Sequence, residues 1–247
     1  MTQLADAILT PGRDGAYDSV LKWVLLMALI TIGAVVAYDY GLLTYLFSAD
    51  RSRITILIAA LYVGFSAHCL WILIELSHEY RRAMVWKARL AAGSAIPDVP
   101  AGGGLIDTYV ADVIQSRETP SDAEGNSHML MMSLGASFRR RTKVGTYGAD
   151  LLYKLGMLGT MVGFVMMLNS MGDIANFDVE TLRVALQDMI AGMAVSLLTP
   201  IAGLIGGILL RLEYNIADAL VTDISQTAVS FTEVSLLPNL VRAERNV

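Results

Sequence analysis

The stretch Gly156-Met-Leu-Gly159-Thr160-Met-Val-Gly163 decides how this chain is read. A second stretch answers it: Gly192-Met-Ala-Val195-Ser196-Leu-Leu-Thr199-Pro200-Ile-Ala-Gly203. Each sits inside an apolar run of roughly 20 residues, the length an α-helix needs to cross the hydrocarbon core of a bilayer. In the first run Gly156, Thr160, Gly163, Met167 and Ser170 recur at intervals of three and four. In the second, Gly192, Ser196, Thr199, Gly203 and Gly206 do the same. That spacing gathers each set on one helical face. Small residues on such a face let two backbones approach closely, the usual driver of helix association in lipid. Gly156, Gly159, Gly163, Gly192 and Gly203 are therefore the expected close-packing positions.

The rest of the chain agrees with a membrane setting. It has 247 residues, 55% hydrophobic and 17% charged, and a mean hydropathy of +0.54. Those values are too apolar for an ordinary soluble domain and predict an all-α, multi-span membrane protein. Four transmembrane helices are expected, at about Val20–Tyr38, Ile54–Ser77, Leu151–Gly172 and Val184–Leu210. Tyr38-Asp39-Tyr40-Gly41 ends the first early. The net charge of −5 and the lack of a basic block give no sign of nucleic acid. One cysteine, Cys69, excludes an internal disulfide and argues against a cysteine-based metal site. No metal or cofactor is expected. Met1–Ser19 does not read as a cleavable signal peptide.

Arg81, Arg82, Lys87 and Arg89 follow the second span, and Arg139, Arg140, Arg141 and Lys143 precede the third. The loop between spans three and four holds only Arg183 against Asp173, Asp178 and Glu180. The positive-inside rule then places the long segment and both termini in the cytoplasm, despite Arg51 and Arg53 in the first loop. Four regions follow: a tail and helices one and two over 1–77, a cytoplasmic helical segment over 78–150, the core helices three and four over 151–210, and a cytoplasmic C-terminal helix over 211–247. Within the second region, 91–104 reads as a connector and 119–127 as a polar loop. Leu105, Ile106, Tyr109, Val110, Val113 and Ile114 fall at helical spacing. In the last region Leu212, Ile216, Ala219 and Leu220 suggest the apolar stripe. Glu75 and Lys154 are expected near cytoplasmic helix ends.

Two features bear on function. Pro200 has no N–H, so the Ser196 carbonyl loses its helical partner and a kink is expected there. A freed carbonyl within a membrane needs protein or water to satisfy it. Between Leu155 and Gly172, and between Met189 and Leu210, there is no ionisable side chain. His68 in the second span is the only deep one expected. If the chain serves ion flow, the titrating group must come from a partner.

The first stretch resembles the Gly-Leu-x-Gly-Thr-x-x-Gly signature of the MotA/TolQ/ExbB proton-channel family, and Gly192–Leu204 resembles that family's last span. Four spans with both ends inside are similar to the MotA side, and the Thr-x-Ile-Ala-Gly form to ZorA-like members. The motif resemblance covers about Leu151–Leu210. The chain differs from the family where Tyr153 replaces a proline, Pro200 a second threonine, and Val195 the glutamate of ExbB-like members. The resemblance implies a homo-pentameric ring around two single-span helices of a MotB/TolR/ExbD-like partner, whose membrane Asp titrates against hydroxyls of the ring. It also implies the bacterial inner membrane. Thr160 and Thr199 are the expected path or partner-facing residues, with Ser196 and Ser170 behind them.

On this reading the chain is the ring subunit of an ion-driven motor or stator, conducting protons or sodium, and is not an enzyme. The alternatives are a structural scaffold whose glycine-rich helices only pack, and a stand-alone secondary transporter. Against a transporter stand the lack of an inverted repeat and of intramembrane charge besides His68.

Overall fold

The computed structural model describes residues 15–50, 52–91, 104–118, 123–172 and 179–236. Among them no strand occurs. The helices are α1 (Gly15–Asp39), α2 (Leu42–Ala49), α3 (Ile54–Ala91), α4 (Leu105–Glu118), α5 (Ala123–Gly172) and α6 (Val179–Phe231), closed by a π-helical turn at Thr232–Leu236. Four of them, α1, α3, α5 and α6, are long and apolar enough to cross a membrane. The apolar surface of α1 is bare: Leu21, Leu25, Leu29, Ile32 and Val36 are all exposed.

The long helices overrun the expected boundaries. α5 has 50 residues and α6 has 53, so each is about 75–80 Å long, more than twice the roughly 30 Å hydrocarbon core. Span three and the segment before it are therefore one helix, and residues 123–127, expected in a polar loop, belong to it. The C-terminal segment likewise continues span four without a break as far as Phe231, and residues 237–247 lie outside the described residues. Most of the 91–104 connector and residues 119–122 lie outside the described residues. α2 was not foreseen.

The described residues form two compact units. One takes α1 as far as Trp23, Leu70–Lys143 and the chain from Asn215, and the other takes Val24–Cys69 and Val144–Tyr214. The first is a small helical bundle. Its buried side chains include Leu73 and Leu76 of α3, Ile106, Val110 and Val113 of α4, Phe138 of α5, and Leu220, Ile224 and Phe231 of α6. The amphipathic stripe read for α4 is thus the buried one. The start of α4 is tied down by α3. Asp107 accepts hydrogen bonds from the Trp86 indole N–H at 2.6 Å and the Gly104 N–H at 3.1 Å. Arg82 lies 3.4 Å from the same carboxylate. Glu79 accepts from the Ile106 N–H at 3.2 Å. Two carboxylates thereby satisfy helix-start donors that would otherwise lack partners. In the same unit Arg141 of α5 pairs with Glu75 of α3. Buried Tyr109 lies 3.2 Å from the Thr232 hydroxyl. Burial, and then Glu233, raise its phenol above the ordinary value despite that hydrogen bond.

In the second unit, α2 lies between α1 and α3. Gly41 takes a left-handed φ of 72° between α1 and α2, which costs glycine nothing. Arg53 has φ 58° at the start of α3, a strained conformation for a residue with a Cβ. Asp50 holds it: its carboxylate accepts from the Ser52 N–H at 2.9 Å, the Ser52 hydroxyl at 2.5 Å and the Thr55 N–H at 2.7 Å. Burial opposes the charged form of Asp50, but these bonds outweigh it and hold its carboxyl below the usual range. A carboxyl depressed in the fold contributes stability that is present above its unfolded value of about 4 and is lost as pH falls through the folded value. Acidification through that window is expected to loosen the start of α3, and Asp50→Ala to cost about 1 kcal/mol at neutral pH. Hydrogen exchange at the Thr55 amide reads both effects. Equal protection in the variant would show that the cap contributes nothing.

The α5–α6 hairpin of this unit does not stand level with α3. A Cβ added at Gly206 of α6 would lie 3.9 Å from Ile58 of α3 and 3.5 Å from Leu152 of α5. α3 begins at Ile54, only about 6 Å before Ile58. From Leu152, α5 runs on to Gly172, about 30 Å. The hairpin therefore extends about 25 Å past the start of α3. α1 ends near that start too, since Ser66 of α3 donates to the Met27 sulfur at 3.6 Å, with Met27 and Ser66 each about 18 Å from their helix ends. The start of α3 and the end of the hairpin are thus offset from one another.

Candidate functional site

The two quoted stretches face each other. Gly163 rests on the α6 backbone, where an added Cβ would lie 2.5 Å from the Ser196 nitrogen and 2.8 Å from the Gly192 oxygen. Gly192 is as tight against α5, 2.8 Å from the Met167 nitrogen and 2.9 Å from the Gly163 oxygen. Further along, Gly203 would meet the Leu152 oxygen at 2.6 Å, and Gly156 the Pro200 Cα and Thr199 oxygen at 3.2 Å. At Gly159 the occupant is the Thr199 side chain itself, in direct contact. Real Cβ atoms do not fit the gaps below 3.0 Å at Gly163, Gly192 and Gly203, so these glycines set the distance between the helices.

The hydroxyls divide between the seam and its margin. Thr199 is fully buried and donates to the Val195 carbonyl at 2.8 Å. Expected to face a partner or an ion path, it instead fills the space over Gly159 within its own chain. Ser196 is half-buried and brings its backbone against Gly163. Thr160 and Ser170 are half-buried too and donate to the carbonyls of Met157 at 2.6 Å and Met167 at 2.7 Å. Of the four, Thr160 belongs to the intact motif and is not enclosed. α6 stays helical through Pro200, whose Cα packs on Gly156. The outer faces of the hairpin carry large exposed apolar side chains: Met157, Met161, Phe164 and Leu168 on α5, and Met193, Leu197 and Ile201 on α6.

A second polar locus lies where α3 meets α6. Glu213 is fully buried, and Tyr62 of α3 donates its phenol to it at 2.7 Å. The next residue, Tyr214, is buried as well. It donates to the Phe65 carbonyl at 3.2 Å and lies 2.8 Å from the His68 Nδ1. A hydroxyl has one proton, so with that proton on Phe65 the imidazole carries its own on Nδ1. Gly145 and Gly148 of α5 make room, one against the Tyr214 ring and one against Phe65. Sequence reasoning found His68 and missed Glu213, because the stripe after span four was phased on Leu212, which is exposed. The buried stripe is Leu210, Glu213, Ala217, Leu220, Ile224 and Phe231. Counting back in threes and fours from Phe231 lands on a glutamate in a core position, and that was the available signal.

Among the described residues no cluster of His, Cys, Asp and Glu could hold a metal ion. No family model matches the chain, and neither does any curated protein or solved structure.

Proposed function

We propose that this chain is the ring subunit of an ion-driven motor or force-transmitting complex in a bacterial inner membrane. Copies of it, five by the resemblance, surround single-span partner helices, and the partner supplies a membrane Asp. Protons or sodium pass between that Asp and the ring, and both termini lie in the cytoplasm. The observation that carries this reading is the α5–α6 hairpin. It is clamped by glycines within the chain, yet it extends about 25 Å beyond the start of α3 with its outer apolar faces bare. A lone chain leaves those faces to lipid; neighbouring copies and a central helix would cover them and leave Thr160 at the border. Moving one charge across 100 mV is worth about 2.3 kcal/mol, so a few ions suffice for a mechanical step.

One observation favours the scaffold reading instead. The hydroxyls of Thr160, Ser170 and Thr199 each bond a carbonyl of their own helix, as helix-packing hydroxyls commonly do. Thr160→Val separates the two, because valine keeps the shape and loses the hydroxyl. In vesicles holding this protein and its co-expressed single-span neighbour, the motor reading expects ion flux to fall about tenfold or more, equivalent to about 1.4 kcal/mol on the barrier. Unchanged flux and assembly would favour the scaffold. A purification that returns a monomer with no partner would remove the motor reading.

A further inference from the structure

We infer that Glu213 is a proton-binding site of the subunit itself, with Tyr62 as its hydrogen-bonded gate. The chain has no ionisable group within the glycine stretches, but it buries this carboxyl completely just beyond them, one turn past Leu210. A carboxyl group taken out of water has to be hydrogen-bonded and neutral, or compensated. Tyr62, itself half-buried, donates to the Glu213 Oε1 at 2.7 Å. Among the described residues, three helices place polar or titratable groups near Glu213. α3 contributes Tyr62, exposed His68 and buried Cys69. α6 contributes Tyr214 and, on its exposed side, Arg211. α5 presents Gly145 and Gly148 here, with Tyr147 and Asp150 exposed. α1 reaches α3 nearby through Met27, which does not titrate.

The step balances simply. A hydronium ion gives a proton to the Tyr62 oxygen as the phenol's own proton moves to the ionised Glu213 Oε1. One O–H bond forms on each oxygen, one hydronium O–H and the old phenol O–H break, and water and neutral Tyr62 remain. The reverse sequence releases the proton. The His68–Tyr214 pair holds α3 against α6 beside this site, which keeps Tyr62 in reach. The ring subunit would then carry a titrating group besides the one it borrows. That role in transport rests on the motor reading; the proton site itself does not.

Infrared difference spectroscopy of the full-length protein in phospholipid nanodiscs tests it. On acidification, the wild type is expected to gain a C=O band of a protonated carboxyl that Glu213→Gln lacks, a loss of one titrating carboxyl per chain. Tyr62→Phe should keep the band and shift its frequency, because the hydrogen bond is gone while the carboxyl remains. Circular dichroism reports whether each variant is folded, and Tyr62→Phe keeps the test open if Glu213→Gln does not fold. A spectrum in which no band disappears in Glu213→Gln, or a band that Tyr62→Phe leaves unmoved, overturns the site. Flux measured with the co-expressed neighbour is a separate reading: a band as described with no ion flux would remove the motor reading and leave the proton site standing.

Discussion

Gly163→Leu is expected to separate α5 from α6 and abolish the folded hairpin. The first atom of the new side chain would already lie 2.5 Å from the Ser196 nitrogen, 2.8 Å from the Gly192 oxygen and 2.9 Å from the Ser196 Cα. All three are backbone atoms, so no rotamer change relieves the contact. Overpacking a tight interior costs about 1–3 kcal/mol for small insertions. Gly163→Ala falls at the upper end of that range because the obstruction is rigid, and leucine adds three more carbons. A control comes from the same unit. Gly64 has nothing within 4 Å of an added Cβ, so Gly64→Ala is expected to change stability by less than about 1 kcal/mol, in the direction of better helix propensity. Size-exclusion profiles after heating in detergent rank the three proteins. If Gly163→Leu retained the wild-type profile, the seam would not be the contact that holds the hairpin.

Asp107→Ala is the second large effect. The substitution leaves the buried Trp86 indole N–H without its acceptor and uncaps α4 at Gly104. A buried donor left unsatisfied costs about 1–3 kcal/mol, and a lost cap about 1 kcal/mol. The expected loss is about 3 kcal/mol, concentrated on α4. Asp107→Asn should lose less: it keeps an acceptor for Trp86 and gives up the charge beside Arg82 and the Gly104 N–H. Hydrogen exchange over Ile106–Val113 should quicken strongly in Asp107→Ala and modestly in Asp107→Asn. Equal exchange in both would mean that apolar burial of Ile106, Val110 and Val113 holds α4 without the carboxylate.

Much of the helix inventory was legible before any coordinates. The apolar runs, the stripe on α4 and the punctuation at Asp39 and Gly41 are local signals, and local periodicity suffices to read them. The continuity of α5 was less legible. Residues 123–127 are polar and look like loop, yet they extend a helix that is continuous into the apolar segment beyond. Helix propagation costs little once nucleated, so a polar start does not stop it. Thr199 shows the opposite limit. Its place on the small-residue face was readable, but whether that face met a partner or its own neighbour was not.

The sequence by itself determined that the chain is helical, that four helices can cross a membrane, and that two of them carry glycine faces suited to close approach. Those properties follow from composition and from intervals of three and four, which one helix expresses alone. Only the tertiary structure decided that the glycine faces seal against each other within the chain, with Thr199 enclosed between them. It also decided the offset of about 25 Å between the start of α3 and the end of the hairpin, and the meeting of Tyr62 with Glu213 across 151 residues. The physical reason is register. Sliding one helix along another leaves every local pattern intact and changes every partner, so packing alone selects which buried group meets which.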